Sequence, residues 1–329
     1  MNKRIKVGIF GVGRFGSVHL NNLLEIPDVE VIGFCDTNKD RQSRIAKEYG
    51  IPLYNQSDLI EKADVLDIVT PTYAHYEIAM QAIEKGKHVF IEKPFTQTQN
   101  EAYHLRDAVK KTGVRASVGF IERFNPVFIE LQNRCELAPN FIEIHRMGQF
   151  NPGRGTEIPV IHELMIHDLD MAQYLIKSKI RDIRASGTSV LSDEIDIVNA
   201  RIEFENNAVA NITCSRIAPM KMRKIRLFQK NKTISMDLLN HQAEIYEIKE
   251  NVAHEKLDTA KIMSNIPSEF DRGIAFNKIN ASKSNALRDE LQSFIDCVKT
   301  GQEPVVTVDD AVRALDLAFK IKQKIENNK

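Results

Sequence analysis

Residues 5–16 read IKVGIFGVGRFG. A short apolar run passes into Gly11-Val12-Gly13-Arg14-Phe15-Gly16, and a helical stretch continues from Arg14 to Glu25. Three glycines at this spacing between a strand and a helix serve one geometry. The first permits a tight turn, the second lets a pyrophosphate approach the backbone, and the third lets the helix pack close to the strand. Phosphates then sit on the free N–H groups at the helix N-terminus. The basic residues before the apolar run resemble the start of a signal peptide. However, glycines interrupt the run and no small-residue cleavage site follows closely, so it reads as a strand.

A second apolar run, VEVIGFCD, ends at Asp36, 20 residues past Gly16. A carboxylate there accepts hydrogen bonds from the adenosine ribose hydroxyls and repels a 2′-phosphate. Thr37 and Asn38 follow in place of arginine, which favours NAD as the cofactor, while Arg41 lies near enough to keep NADP open. The expected cofactor contacts here are Gly11, Val12, Gly13, Arg14, Phe15, Gly16, Asp36 and Thr37.

The alternation continues. VLDIVT, HVFIE and VRASVGF are apolar runs separated by amphipathic stretches from about His75 to Lys85 and from Gln99 to Thr112, with Gly50, Gly86 and Gly113 as helix stops. Such alternation predicts parallel strands with crossover helices. Residues 1–121 are therefore expected to form a doubly wound α/β Rossmann domain. Beyond RFNP the pattern changes. VNARIEF puts Val198, Ala200, Ile202 and Phe204 on one face, and ENN turns the chain into AVANITCS, a hairpin of a half-exposed antiparallel sheet. Residues 122–329 are expected to form an α+β domain with a mostly antiparallel open sheet. Residues 250–284 are polar and weakly periodic and read as a long loop or excursion.

Ligands of an open parallel sheet bind at the carboxyl ends of its strands. FIEKPF places Glu92 and Lys93 at such an edge, and Pro94 restricts where the lysine can point. In the other strand-end cluster, TPTYAH, Thr70 and Pro71 are expected along the cofactor's ribose and ring, with His75 as a further contact. In PVIHELMIHDLDMAQYLIKS, Glu163, His167, Asp170 and Tyr174 share a polar helical face opposite an apolar stripe. A carboxylate one turn before a histidine can orient its ring, which suits a base that takes a proton from an alcohol; an ordinary solvated acid–histidine pair fits the same spacing.

Bulk properties exclude other classes. With 45 basic and 45 acidic residues the chain has no general pull toward nucleic acid or anionic membrane. No apolar run approaches the roughly 20 residues of a membrane span. Cys35, Cys135, Cys214 and Cys297 lie far apart without metal-ligand spacing, so no metal is expected, and reduced cysteines fit a cytoplasmic setting.

Taken together, GVGRFG, TPTYAH, GKHVFIEKP, VGFIERFNP, HELMIHDLD and ELQSFIDCVKTGQEPVVTVDDAVRAL resemble the Gfo/Idh/MocA oxidoreductase family over nearly the whole chain. The resemblance implies that Lys93 lies near the nicotinamide and the substrate hydroxyl. It also implies that His167 is the general acid/base of a D-x-x-x-H element, in which Glu163 replaces the aspartate. Arg123 and Asn125, within VGFIERFNP, become expected substrate contacts. The outer face of the second sheet is implied in oligomer contacts, so a homo-oligomer is expected. A narrower likeness, through VIHELMIHDLD and the segment from Asp196 to Gln229, is to the branch that includes UDP-N-acetylglucosamine 3-dehydrogenases. On that likeness Arg216, Lys221, Arg223, Lys224 and Arg226 are either diphosphate ligands or the charged face of an edge strand. Arg146 and Arg154 are further candidates. The expected activity is hydride transfer between a nucleotide-sugar hydroxyl carbon and nicotinamide. The alternatives are an inositol or simple-sugar dehydrogenase using NAD(P), and a non-catalytic NAD-binding regulator.

Overall fold

The structure is a computed structural model, and residues 4–151, 157–250 and 272–327 are described. The first elements are β1 (Ile5–Phe10), α1 (Arg14–Leu24), β2 (Val29–Cys35), α2 (Lys39–Tyr49), α3 (Gln56–Lys62), β3 (Val65–Ile68), α4 (His75–Glu84), β4 (His88–Ile91), α5 (Gln99–Thr112) and β5 (Ala116–Val118). The strands pair in parallel in the order β2-β1-β3-β4-β5. Strands covered on both faces must be apolar nearly throughout, and Val7, Ile9, Leu66, Ile68 and Val89 are fully buried. Gly50 and Gly113 close α2 and α5 at φ 67° and 72°, where a side chain would be strained. α3 escapes the periodicity reading; its start is set by Asn55, whose side chain accepts the Asp58 N–H at 2.9 Å.

Next come α6 (Pro126–Arg134), β6 (Phe141–Met147), α7 (Ile166–Leu175), β7 (Ile180–Thr188), β8 (Ile197–Phe204), β9 (Val209–Ser215), β10 (Met222–Gln229), β11 (Lys232–Asp237), β12 (Gln242–Glu250) and β13 (Arg272–Asn280). They form an eight-stranded sheet in the order β13-β12-β11-β10-β6-β9-β8-β7, antiparallel except for β6 with β9. The alternation of β8 appears as expected: Val198, Ala200, Ile202 and Phe204 are fully buried, and Asn207 turns the hairpin at φ 65°. The expected loop over 250–284 is corrected in part. Residues 272–280 pair with β12 along its length, and 251–271 lie outside the described residues. A strand at a sheet edge needs only one partner, so its sequence carries a weak pattern.

The chain ends in α8 (Ala286–Thr300) and α9 (Val308–Asn327). It divides into two compact units, Met1–Phe124 with Asn285–Asp316, and Asn125–Ser284 with Leu317–Lys329. The division expected at 121/122 had placed the whole C-terminal segment in the second domain. Instead Leu287, Leu291, Phe294 and Ile295 of α8 share a core with Val7, Ile9, Leu20 and Phe90 of the parallel sheet. Leu317, Ala318, Ile321 and Ile325 of α9 join the core of the antiparallel sheet. Helical periodicity shows that a helix has an apolar stripe, not which sheet will cover it.

Candidate active site

In the first unit, the strand order reverses between β1 and β3, and the loops after these two strands flank the crevice where doubly wound folds bind ligands. Gly11 has φ 85°, and a Cβ there would meet the Val69 carbonyl oxygen at 2.8 Å. A Cβ at Gly16 would run into the Gly11 carbonyl oxygen, so the third glycine is what lets α1 close onto the turn. Gly13 caps α1 without a side-chain acceptor. By contrast, Asn38, Asn55, Thr98, Asn125 and Asn285 cap α2, α3, α5, α6 and α8. The first-turn N–H groups of α1 are thus offered to a ligand, as a dinucleotide's pyrophosphate requires. Val12 is buried under the turn, while Arg14 and Phe15 are exposed.

Asp36 lies just past β2. Its carboxylate accepts the Val12 N–H at 2.8 Å and the Asn38 N–H at 2.8 Å, with the Arg41 guanidinium at 3.4 Å. It therefore ties the glycine turn to the end of β2 while placing negative charge where an adenosine ribose is expected. Thr37 is exposed beside it. These residues fit NAD.

The strand ends after β3 and β4 hold the other expected contacts. Pro71 is exposed, and the buried Thr70 hydroxyl has no hydrogen-bond partner among the described residues. His75, expected against the cofactor, is held between two backbone carbonyls. One ring nitrogen faces the Pro94 carbonyl oxygen at 3.0 Å and the other the Thr70 carbonyl oxygen at 2.9 Å, and the residue is 1% exposed. Burial holds its pKa below the usual value. The Lys93–Pro94 bond is cis, a point the sequence left undecided. Lys93 is half-buried, and its N–H donates to the Glu92 carboxylate at 3.2 Å.

Glu92, the other expected contact on this turn, is buried against α1. Its other carboxylate oxygen lies 3.4 Å from His19 Nε2, and His19 Nδ1 lies 3.0 Å from the Asp67 carboxylate. Sequence reasoning missed this cluster, although two signals were present. His19 falls on the inward stripe of α1 with Gly16, Leu20 and Leu23, and Asp67 interrupts a buried strand. Buried polar groups in such places need partners. Burial alone would lower His19, but Asp67 and then Glu92 outweigh it and raise its pKa from 6.5 to about 10. A group protonated more strongly in the fold than in the unfolded chain stabilises fully below pH 6.5 and loses that contribution as pH rises toward 10. Urea unfolding is therefore expected to show wild-type stability falling between pH 6.5 and 10, by up to about 1.4 kcal/mol per pH unit. In H19Q/D67N, which keeps the shapes and removes the ion pair, that slope should flatten.

In the second unit, residues Ile161–Met165 form a π-helical turn leading into α7. Such turns often occur at functional sites, and no feature of the periodicity marks this one. Glu163 sits in the turn and His167, four residues on, is the second residue of α7 and 8% exposed. The shared polar face is not a solvent face, because Asp170 is buried as well and Glu163 and Tyr174 are only partly exposed. Glu163 lies 3.3 Å from Arg216, whose guanidinium also donates to Asp196 at 2.7 Å and to Ser192 at 2.8 Å. Asp196 further accepts the N–H groups of Val190, Leu191 and Ser192. Burial alone would raise this carboxyl, but the Ser192 hydroxyl, the Leu191 and Val190 N–H groups and Arg216 hold it well below the usual range. Arg216 is thus a buried organiser of two loops and not an open diphosphate ligand, whereas Lys221, Arg223, Lys224 and Arg226 are exposed. β10 is not an edge strand either, being paired on both sides.

Three further expected substrate contacts have partners within the chain. Arg146 is 3% exposed, and its guanidinium forks onto Asp168, with Nε 2.9 Å from each carboxylate oxygen and Nη2 at 2.8 Å. Arg123, in the first unit, is buried and donates to the Val305 carbonyl oxygen at 3.1 Å beside Asp310. Asn125 caps α6 and donates to the Leu238 carbonyl oxygen at 3.0 Å. Buried arginine and asparagine side chains need hydrogen-bond partners, and carbonyls and carboxylates of the chain supply them here. Arg154 lies outside the described residues.

The family model described as an oxidoreductase family with an NAD-binding Rossmann fold matches residues 5–120, and the GFO/IDH/MocA C-terminal domain matches 149–235. With the glycine turn and Asp36, this defines an NAD-binding oxidoreductase. UDP-N-acetylglucosamine 3-dehydrogenase of Acidithiobacillus ferrooxidans is 30% identical over 326 residues, covering 98% of this chain and 97% of the relative. A solved structure of that enzyme superposes with a TM-score of 0.88 at 28% identity, covering 98% of each chain. The scyllo-inositol 2-dehydrogenase (NAD(+)) of Bacillus subtilis is 26% identical over 346 residues, covering 99% of this chain and 96% of the relative. The chain belongs to the Gfo/Idh/MocA oxidoreductase family.

Proposed function

We propose that this chain is a dehydrogenase of a nucleotide sugar of the UDP-N-acetylglucosamine kind, working on a secondary ring hydroxyl. The observation that carries the reading is Lys93. It is a half-buried cation at the carboxyl end of a parallel strand, and its backbone is held by Glu92 and Pro94 in the same unit as the glycine turn. NAD, when bound, supplies the hydride-accepting ring. Lys93 donates a hydrogen bond to the substrate oxygen as negative charge grows on it, and His167 takes the hydroxyl proton. Glu163 stands one turn before His167, where the family resemblance implies an orienting carboxylate. Arg216, held on Asp196, fixes the loop from which Glu163 rises. The substrate class rests on the likeness to the A. ferrooxidans enzyme, which spans nearly the full length of both chains.

The proposal includes a cytoplasmic homo-oligomer, an expectation supported by the four free cysteines and by the family resemblance. Among the described residues no helix is long and apolar enough to cross a membrane. The test is a substrate screen with NAD, following nicotinamide absorbance with UDP-N-acetylglucosamine, other UDP-sugars, free sugars and inositols. Turnover of UDP-N-acetylglucosamine above all others is the expected result. Preference for inositols would move the chain toward its inositol-oxidising relatives, and NAD binding without turnover of any of these compounds would mark a regulator.

A further inference from the structure

We propose that His19 is a positioning residue that holds the Lys93 turn through Glu92 and so ties the dinucleotide-binding helix to the lysine. Three charged side chains from three elements of the first unit meet here: His19 from α1, Asp67 from β3, and Glu92 from the end of β4, at 0%, 1% and 7% exposure. The contacts form a line. Asp67 holds one ring nitrogen of His19 at 3.0 Å, the other ring nitrogen lies 3.4 Å from one oxygen of Glu92 as an ion pair without hydrogen-bond geometry, and the second oxygen of Glu92 accepts the Lys93 N–H at 3.2 Å. α1 is the helix whose first turn the glycines leave open, and His19 lies one turn further along it.

The site is shaped for this carboxylate. A Cβ on Gly119, just after β5, would strike the Glu92 carboxylate oxygen, so glycine leaves Glu92 room to face His19. Packing alone does not call for the arrangement. The surrounding strands are apolar, and a buried ion cluster is commonly no more stabilising than apolar side chains of the same volume. What it adds is direction. An imidazolium held by one carboxylate fixes the other, and that one sets the backbone from which the lysine projects. A group that must meet a reacting atom to within a fraction of an ångström needs such support.

The inference rests on Lys93 as the group that meets the substrate oxygen. Its test compares H19Q, E92Q, H19Q/E92Q, G119A and K93A with wild type, using NAD with UDP-N-acetylglucosamine and counting sites by NADH titration. H19Q and E92Q are each expected to lower kcat about ten- to a hundredfold with the KM for NAD changed less than about threefold. The double variant should be no worse than about threefold below the weaker single, because both act through one contact. G119A, which pushes the Glu92 carboxylate aside without removing any charge, should reproduce the loss even if H19Q fails to fold. Independently of any substrate, the rate at which an amine-acylating reagent labels Lys93 in the NADH-loaded protein should shift in G119A and H19Q while that of exposed Lys39 stays constant. Independent, multiplying losses, or unchanged turnover and labelling in H19Q and G119A alongside an inactive K93A, would overturn the role of His19. An active K93A would instead overturn the reading of Lys93.

Discussion

Replacing Lys93 by alanine is expected to lower turnover by about 10²–10³-fold while leaving NADH affinity within about threefold. The reason is where the ammonium acts. On the proposed reading, pyrophosphate sits on the glycine turn and the first turn of α1, and the ribose on Asp36, so neither calls on the lysine side chain. The lysine is asked to stabilise charge that grows on the substrate oxygen only as the bond to hydrogen breaks. A donor held in place for that moment contributes about 2.7–4 kcal/mol to the barrier. Lys93→Arg should recover little, because a planar guanidinium cannot replace a compact point charge at a fixed distance. The measurement is steady-state kcat beside an NADH fluorescence titration. A loss confined to NADH affinity would mean that the lysine binds the cofactor and takes no part in the chemistry.

Arg146→Met should destabilise the fold by about 3–5 kcal/mol, seen as a lower midpoint in urea or guanidinium unfolding. Arg146 and Asp168 are 3% and 1% exposed, and three donor–acceptor contacts of 2.8–2.9 Å join them. Removing the guanidinium leaves a carboxylate buried without its counter-charge, which costs far more than the intact pair contributes. Replacing Asp168 as well, in R146M/D168L, should recover much of the loss. The pair lies against the site in another sense: Asp168 follows His167 on α7, so the same ion pair anchors the helix that carries the proposed base. Unchanged stability with a raised KM for the sugar would restore Arg146 to the substrate role that the sequence suggested.

The two arginines and the two histidines show where sequence reading stops. Arg146 and Arg216 were read as possible diphosphate ligands through the likeness to nucleotide-sugar dehydrogenases. Each instead meets an aspartate far along the chain, 22 and 20 residues away. His75 was read toward the cofactor because it opens a helix at a strand end, and it turned inward to two carbonyls. His19 went unread because its partner Asp67 lies 48 residues away.

Features that depend on a residue's own backbone or on a short repeat were legible in the chain alone. These include the glycine turn, the apolar period of the parallel strands, the two-residue alternation of β8, the carboxylate that ends β2 and the lysine that ends β4. Each reflects a local demand: a positive φ, a close approach, or a strand buried on one face or both. The tertiary structure decided which polar side chains remain for a ligand and which are taken by one another, and which sheet claims each C-terminal helix. Those outcomes depend on partners distant in the chain, and a buried charge is satisfied by whichever partner the fold brings within reach.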